Sequence, residues 1–305
     1  MKRLFPVLFI LLILASACAE KTLPPATPTL PEAIPSPTPS PSGEVAALVN
    51  GQPIYVKTLE KRVTQFEKAF ASQGIDLQSE EGQKTMAQVR RQVLEGLIDQ
   101  VIMEQAAARM GITVTDEELE AHIQKSIQEG GGRESLEKWL DANNLTWEEF
   151  REMTRAQLLS EKLFEKVVPP PPETMEQVHA RHILLNSEEE ANQVLEKLRR
   201  GEDFAQLARQ FSLDNFTRES GGDLGFFPKG LSALPPEVED AAFSLEPGQI
   251  SGVIKSYFGY HIIQVLEKDP NHPLSEEMKR AFREQKFREW LEQEKAKANI
   301  QRFVK

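Results

Sequence analysis

The distribution of proline limits which parts of this chain can form helices or sheets. Eight of the 20 prolines lie within residues 24–41, in the segment AEKTLPPATPTLPEAIPSPTPSPSG, and four more form the run at 169–172. Proline removes a backbone donor and fixes φ, so neither segment can continue a helix or a central strand. The prolines therefore predict a spacer over residues 18–43 and a boundary near residue 170, with folded regions on both sides of that boundary.

The first seventeen residues have the features of a targeting segment. Two basic residues are followed by LFPVLFILLILA, an apolar run too short to span a bilayer comfortably. ASAC then ends at Cys18, the only cysteine, and resembles a bacterial lipobox, although Ala15 stands where Leu is more usual. We expect a signal peptide over 1–17 and a lipid on Cys18 that anchors the chain to the outer face of a bacterial cell membrane. The alternative is a secretory signal that is cut after Ala17 or Ala19.

The charge and the cysteine content exclude several classes of function. The net charge of −11 offers no basic excess for binding nucleic acid. A single cysteine cannot form a disulfide within one chain, and a lipidated Cys18 leaves no thiol nucleophile. The hydrophobic content of 40% fits an ordinary globular protein of about two domains.

Residues 44–168 predict a mostly helical domain that begins with a short hairpin. EVAALVNGQPI places an Asn50-Gly51 turn between two apolar steps. Apolar residues then recur at helical spacing, and TDEE from Thr115 and TWEE from Thr146 are capping boxes that begin two further helices. No residue of this domain is a candidate for catalysis. We expect its apolar faces to form a core, and the alternative is that they bind client chains.

After the proline run the pattern becomes α+β. VHARHILL alternates as a strand, two amphipathic helices follow, and SGVIKSYFGYHIIQVLEK contains two more strands. Between them, GGDLGFFPKG at residues 221–230 combines glycines with paired aromatic residues. This combination predicts backbone brought close to a ligand, with apolar side chains around it. Residues 273–305 predict one charged amphipathic helix that packs on the N-terminal domain.

Five motifs in residues 175–268 resemble the parvulin family of peptidyl-prolyl cis–trans isomerases. They are ARHILL with His182, QFSLD with Asp214, GGDLGFF, VEDAAFSL, and FGYHII with His261. The resemblance implies a small antiparallel sheet with surrounding helices and isomerase activity that needs no metal and no other cofactor.

The N-terminal region has a resemblance of its own. ALVNGQPI and the long helical region after it resemble the N-terminal domain of SurA- and PrsA-type extracytoplasmic foldases, with Tyr55 where a capping Ser or Thr is common. The implied fold class is α+β, with the parvulin domain at 175–268 inserted into a mostly helical chaperone domain formed by 44–168 and 273–305.

Prolyl isomerisation needs no nucleophile. Partial double-bond character gives the X-Pro bond a barrier of about 18–20 kcal/mol, while the two isomers differ by only about 0.5–1 kcal/mol. A pocket that binds the twisted amide better than the planar one is therefore sufficient. We expect His182 and His261 to meet through a hydrogen bond, and Asp214 to fix their tautomers or to act on the carbonyl. These three are the catalytic candidates, and the substrate-binding candidates are Leu224, Phe226, Phe227, Val238, Ser256 and Phe258.

Each candidate also has a structural alternative. One of Phe226 and Phe227 can be a core aromatic, Asp214 can be a turn residue, and the two candidate histidines can fix strand geometry. The spacing His179-x-x-His182 resembles a metal site, but residues three apart on a strand point to opposite faces, so we expect no zinc.

Three features depart from the parvulin pattern. The stretch LSALPPEV after Gly230 is slightly longer than usual. Val238 stands where many members have a phenylalanine that contacts proline, so Val238→Phe is predicted to raise kcat/KM. Ser256 replaces a common threonine. These departures concern substrate preference and rate more than the fold.

The sequence favours one function over two others. The first is an enzyme that assists secreted polypeptides as they fold outside the membrane, and the presence of all three catalytic candidates supports it. The second is a holdase whose parvulin domain binds chains without useful turnover. The third is an export factor dedicated to one client, which the sequence does not distinguish from a general foldase.

Overall fold

A two-residue turn at Asn50 and Gly51 joins the first two strands, as predicted. In the computed structural model, which describes residues 43–304, β1 (Val45–Val49) and β2 (Gln52–Tyr55) pair antiparallel. Both turn residues have positive φ, 50° and 86°, as a type I′ turn requires. The predictions for the signal segment, for Cys18 and for the spacer up to residue 42 lie outside the described residues.

The predicted helical region follows this hairpin, and both predicted capping boxes are confirmed. Thr115 and Glu118 exchange side-chain and backbone hydrogen bonds, and Thr146 and Glu149 do the same. The first helix begins after Tyr55 without a side-chain cap. The helices are α1 (Val56–Ser72), α2 (Glu80–Arg109), α3 (Asp116–Glu129), α4 (Arg133–Asn143) and α5 (Trp147–Val167).

After the proline run the chain forms an antiparallel sheet with helices. In this sheet the strand order is β4-β3-β6-β5, so the long strand β3 has a neighbour on each side. A short 3-10 helix at Arg218–Ser220 precedes β4. The elements are β3 (Thr174–Leu185), α6 (Glu188–Arg199), α7 (Phe204–Phe211), β4 (Asp223–Pro228), α8 (Pro236–Ser244), β5 (Ile254–Ser256) and β6 (Gly259–Pro273).

Helices cover both faces of this sheet. Ile183 and Ile262 belong to an apolar cluster with α6 and α7, whereas Ile263 and Val265 belong to a cluster with α8. Neighbouring residues such as Ile262 and Ile263 serve different clusters because successive side chains on a strand point to opposite faces.

The end of the described chain returns to the first hairpin. Helix α9 (Glu276–Lys297) is followed by a strand that the sequence analysis did not predict, β7 (Ile300–Arg302), which pairs antiparallel with β1. Leu291 and Val304 pack against the apolar cluster of the hairpin, α1 and α2.

Contacts divide the described chain into two compact units. One contains the residues up to Val167 and those from Glu289 onwards, and the other is Val168–Arg288, called here the α+β unit. Within residues 43–304, no helix is both long enough and apolar enough to cross a membrane.

Candidate active site

His182 and His261 lie on neighbouring strands and point to the same face of the sheet. On β3 and β6, Leu184 pairs with His261 and His182 pairs with Ile263. The two histidines are therefore diagonal neighbours. Their rings stack with centroids 5.7 Å apart and planes 28° apart. The fold thus brings together two side chains that are far apart in the sequence.

Asp214 lies on the turn after α7 and contacts His182. Its Oδ2 is 2.8 Å from Nε2 of His182 and accepts a 2.5 Å hydrogen bond from the hydroxyl of Thr217. Its Oδ1 accepts a 3.0 Å hydrogen bond from the backbone N–H of Phe216. The oxygen of Thr217 is also 3.2 Å from the same His182 nitrogen. These bonds make an Asx turn in which the position of the carboxylate is fixed.

His261 has a separate polar partner on another turn. Ser256, at the end of β5, places its Oγ 2.8 Å from Nε2 of His261. The same oxygen accepts a 3.0 Å hydrogen bond from the backbone N–H of Phe258. Ser256 therefore retains the hydroxyl that a threonine would supply at this position.

The expected hydrogen bond between the two histidines is not formed. Nδ1 of His182 and Nδ1 of His261 are both buried, and neither has a hydrogen-bond partner within residues 43–304. The prediction of a direct bond is therefore wrong, because the Nε2 atoms of His182 and His261 contact Asp214 and Ser256 and neither Nδ1 reaches the other ring. The side chain of Asp214 is 16% exposed and that of His182 is 6% exposed. A ligand therefore reaches Asp214 more readily than either histidine.

At neutral pH the carboxylate of Asp214 is ionised and the ring of His261 is uncharged. Burial acts to raise the pKa of Asp214, but hydrogen bonds from Thr217, His182 and Phe216 outweigh burial, and the pKa lies below its ordinary value. Burial and the neighbouring charge of His182 lower the pKa of His261 to about 4, an effect that Asp214 opposes in part.

Acid is expected to destabilise the α+β unit through His261. An unfolded histidine titrates near pH 6.5, whereas the folded pKa is about 4. Between these values the unfolded chain binds a proton that the folded chain does not. The free energy of unfolding therefore falls as the pH falls from about 6.5 to 4, by about 1.4 kcal/mol for each pKa unit of difference.

Urea unfolding at pH 7 and pH 5 measures this effect. All three tryptophans lie outside Val168–Arg288, so NMR signals of Ile262 and Ile263, rather than tryptophan fluorescence, should follow the α+β unit. The control is His261→Gln, which removes the titrating ring and should flatten the pH dependence between these values. The assignment to His261 is wrong if the variant keeps the slope of the wild type.

The glycine loop packs against the protein itself. The N–H of His182 donates to the carbonyl of Gly222 at 2.8 Å, and a Cβ at Gly222 would lie 2.1 Å from the carbonyl oxygen of His182. A Cβ at Gly221 would lie 2.5 Å from the Cβ of Ala205. The prediction that these two glycines bring backbone close to a ligand is therefore wrong. They allow the loop to approach β3 and α7.

Two of the predicted substrate-binding residues are core residues. Val238 has an exposed fraction of 0%, and Phe227 is buried beside it, with its ring edge-on to Phe243. The prediction that Val238 contacts proline is wrong because no surface of this side chain is available. Val238→Phe would overfill this core, at a cost of about 1–3 kcal/mol, and is not expected to raise kcat/KM. The alternative that one phenylalanine of the pair is a core aromatic is confirmed for Phe227.

Phe226 points to the other face of β4 and joins a different aromatic group. Its ring stacks on His272 with centroids 4.0 Å apart and lies 5.0 Å from the ring of His179. Nε2 of His179 is in turn 2.8 Å from Asp223. The structure does not bring Phe226 to the stacked histidine pair.

The remaining three candidates are linked to the polar group to different degrees. Ser256 contacts His261 directly, and the backbone N–H of Phe258, whose side chain is exposed, bonds to Ser256. Leu224 is half-buried against the cluster under α8 and is two residues from Gly222, whose backbone bonds to His182.

The spacing of His179 and His182 does not form a metal site. The two rings have different carboxylate partners, Asp223 and Asp214. In the part of the chain that the structure describes, no group of three or more His, Cys, Asp or Glu side chains is placed to hold a metal ion.

Sequence reasoning missed two residues of this site. Thr217 bonds to Asp214, and Tyr257 lies in the turn between Ser256 and Phe258. A hydroxyl three residues after an aspartate at a helix end is a usable signal for a turn that closes on its carboxylate. No comparable pattern marks Tyr257.

The fold and the site together define a class of protein. The sheet is antiparallel in the order β4-β3-β6-β5, and it carries a stacked histidine pair held by an acid and a hydroxyl on two turns. This fold and this site are those of a parvulin-type prolyl isomerase. In comparisons with known families, residues 162–269 match the PPIC-type PPIASE domain, and residues 35–164 match the SurA-like N-terminal domain.

Similar proteins identify the family. The foldase protein PrsA of Caldanaerobacter subterraneus subsp. tengcongensis is 36% identical over 230 residues, which cover 73% of this chain and 73% of that protein. PrsA of Oceanobacillus iheyensis is 38% identical over 160 residues, or 50% of this chain and 53% of that protein. A crystal structure of peptidylprolyl isomerase (PrsA) from Bacillus anthracis is 29% identical, with a TM-score of 0.49, and covers 67% of this chain and 96% of that chain. This chain belongs to the PrsA foldase family and is a peptidyl-prolyl cis–trans isomerase.

Proposed function

We propose that Asp214 promotes isomerisation by lying beside the carbonyl oxygen of a bound X-Pro amide. In the planar amide, resonance places negative charge on oxygen and positive charge on nitrogen, and twisting the C–N bond removes this separation. An ionised carboxylate beside the oxygen raises the energy of the planar form more than that of the twisted form, which lowers the barrier. The observation that carries the proposal is a partly exposed, ionised carboxylate fixed by Thr217 and Phe216.

In this proposal His182 and His261 are positioning residues. Both are buried, so they act through their partners Asp214 and Ser256. The uncharged ring of His261 also keeps the floor of the site weakly polar. A weakly polar surrounding strengthens the field that a nearby carboxylate exerts on a bound amide.

The proline ring needs an apolar contact beside Asp214, and Leu224 and Phe258 are the residues we assign to it. Leu224 is half-buried and Phe258 is exposed, and each lies close in sequence to a residue that bonds to one of the histidines. The reaction as proposed uses no metal, no cofactor and no covalent intermediate.

Exchange NMR on short X-Pro peptides tests the activity of the purified chain. We expect substoichiometric folded protein to accelerate cis–trans exchange in an Ala-Pro peptide. If folded protein gives no acceleration, the proposed mechanism is wrong, and suppression of client aggregation would then test the holdase alternative, which the family membership does not favour.

We also propose a location and a division of labour for the chain. The basic start, apolar run and Cys18 support export and lipid anchoring on the outer face of the membrane, where the substrates are secreted polypeptides. At about 3.1 Å per residue, the proline-rich spacer can hold the folded units tens of ångströms from the membrane. Residues 44–168 and 273–305 are proposed as the chaperone body that receives the isomerase domain.

Mass spectrometry of the mature N-terminus tests the anchor. We expect a first residue Cys18 whose mass includes a diacylglycerol group. An unmodified start at Cys18, Ala19 or Glu20 would reject the anchor and leave the secretory alternative.

Thr217→Val is expected to reduce activity through the ionisation of Asp214. The variant removes a 2.5 Å hydrogen bond to the carboxylate, so the pKa of Asp214 should rise and kcat should fall about fivefold to tenfold. A pH–rate profile should show its acid limb shifted to higher pH. Thr217→Ser keeps the hydroxyl and should have the kcat and the acid limb of the wild type. If kcat falls equally in Thr217→Val and Thr217→Ser, the residue acts only through packing.

A further inference from the structure

Exposed apolar side chains of the α+β unit are concentrated on the two turns that hold the histidines. Among the large apolar residues that the structure describes, five are more than half exposed, and four of these lie on the two turns. The fifth, Phe303, lies in the other unit. The four are called here the apolar rim and are Leu213, Phe216, Tyr257 and Phe258.

The first turn presents Phe216 to solvent next to Asp214. The side chain is 96% exposed, while its backbone N–H bonds to Oδ1 of Asp214 at 3.0 Å. Leu213, on the other side of Asp214, donates its N–H to the carbonyl of Leu184 on β3 at 2.8 Å. The backbone of this turn is therefore held to the site, which fixes the backbone of Phe216 next to the carboxylate and leaves its ring in solvent.

The second turn presents two aromatic rings in contact with each other, next to the serine that bonds to His261. Tyr257 and Phe258 connect β5 to β6, are 75% and 58% exposed, and have ring centroids 4.2 Å apart. Ser256 pairs with Gly259 across the turn, and the N–H of Phe258 bonds to Oγ of Ser256. The turn is short and bonded at both ends, which holds the two rings at the rim of the site.

The chemistry of the rim indicates what it binds. Single exposed apolar side chains are common on folded proteins, but four on the two turns that hold one site are a concentration of the kind that commonly marks a binding site. On the first turn Arg218 and Glu219 pair with each other at 3.1 Å, so the remaining charge beside Phe216 is the carboxylate of Asp214, which disfavours an acidic substrate residue.

We propose that the apolar rim binds a bulky apolar side chain next to the proline, so that this isomerase prefers X-Pro segments with aromatic or branched aliphatic neighbours. The inference rests on the proposed function, since it takes the substrate to be bound at Asp214. Such segments are buried in folded proteins and exposed in unfolded ones. The rim therefore directs the enzyme to unfolded chains.

A peptide series with the purified full chain tests this preference. Exchange NMR is run on peptides that have Phe, Leu, Ala, Glu or Lys before the proline, and on a second set with the same residues after it. Each rate is corrected for the uncatalysed exchange of the same peptide. We expect kcat/KM for the best Phe or Leu peptide to exceed that for the matching Ala peptide about fivefold, and to exceed that for the Glu and Lys peptides by more.

Two variants and one matched control assign the preference to the rim. In Phe216→Ser, and in Tyr257→Ser, the ratio of the Phe rate to the Ala rate should fall below about twofold. Phe216 and Tyr257 are so exposed that these changes should leave the fold intact. Phe303→Ser removes a similarly exposed phenylalanine from the other unit and should keep the wild-type ratio.

The outcomes separate this inference from the proposed function. Acceleration of all peptides without an apolar preference would overturn the inference and leave the isomerase mechanism in place. A preference that the rim variants retain, or an equal fall for all peptides, would also overturn it. No acceleration of any peptide by folded wild type would overturn the proposed function as well. If the rim instead forms contacts between two copies of the chain, sedimentation should detect dimers and the rim variants should keep the wild-type ratio of the Phe rate to the Ala rate. That result would also overturn the inference.

Discussion

Asp214→Asn is expected to lower kcat/KM for an Ala-Pro peptide about 10- to 100-fold without unfolding the protein. The substitution keeps the shape of the side chain and removes its charge. In the wild type, hydrogen bonds from Thr217 and Phe216 keep the carboxylate ionised and fixed, so its field acts on the bound amide at no reorganisation cost. A neutral amide at the same position cannot disfavour the charge-separated planar form of the substrate.

Asp269→Asn is the matched control for this experiment. Asp269 also pairs with a histidine, His272, at 3.1 Å in the same unit. It belongs to a histidine–carboxylate pair separate from His182 and His261. We expect kcat/KM of Asp269→Asn for the Ala-Pro peptide to stay within about twofold of the wild type. If Asp214→Asn is equally active, the carboxylate is only a turn residue, as the structural alternative for Asp214 holds.

The regular elements could be predicted because their signals are local. Helical spacing and the capping boxes at Thr115 and Thr146 depend on residues only three or four positions apart, and the structure contains both caps. Strand β7 has no such signal, because Ile300–Arg302 becomes a strand only through pairing with β1, some 250 residues earlier in the chain.

The candidate site could be predicted in part. The parvulin motifs identified His182, Asp214 and His261, and the fold brings these three together. The burial of Val238 could not be predicted, since it depends on how α8 packs against β3 and β6. Phe226 and Phe227 point to opposite faces because successive side chains on a strand alternate. Their adjacency in a strand therefore predicts that they cannot both line the same pocket.

The glycine loop shows how a correct pattern can be given the wrong cause. Glycines at 221 and 222 do mark a close backbone approach, but the approaching partner is the protein's own chain at Ala205 and His182. A sequence cannot distinguish these two cases, because the partner of a close approach is known only when the fold is known. The difference matters for mutation, since a glycine next to a ligand affects binding whereas a glycine next to a strand affects stability.

Gly222→Ala is therefore expected to destabilise the α+β unit strongly. The residue has φ of +83°, and a Cβ would lie 2.1 Å from the carbonyl oxygen of His182. The loop cannot shift easily, because the Gly222 N–H bonds to the carbonyl of Thr217 and its carbonyl bonds to the N–H of His182, both at 2.8 Å. Left-handed strain and overpacking together should lower the free energy of unfolding by about 2–5 kcal/mol.

Gly248→Ala separates the contact from the backbone conformation. Gly248 has φ of +86°, but a Cβ there would meet nothing within 4 Å. Gly248→Ala should therefore be destabilised only by the strain of the left-handed conformation, which lowers the free energy of unfolding by about 1–2 kcal/mol. Urea unfolding followed by NMR signals of β3 compares the two variants. Equal losses would mean that the loop relaxes away from His182. A larger loss in Gly222→Ala, with reduced isomerase activity in its folded fraction, would mean that this glycine keeps His182 in position for Asp214.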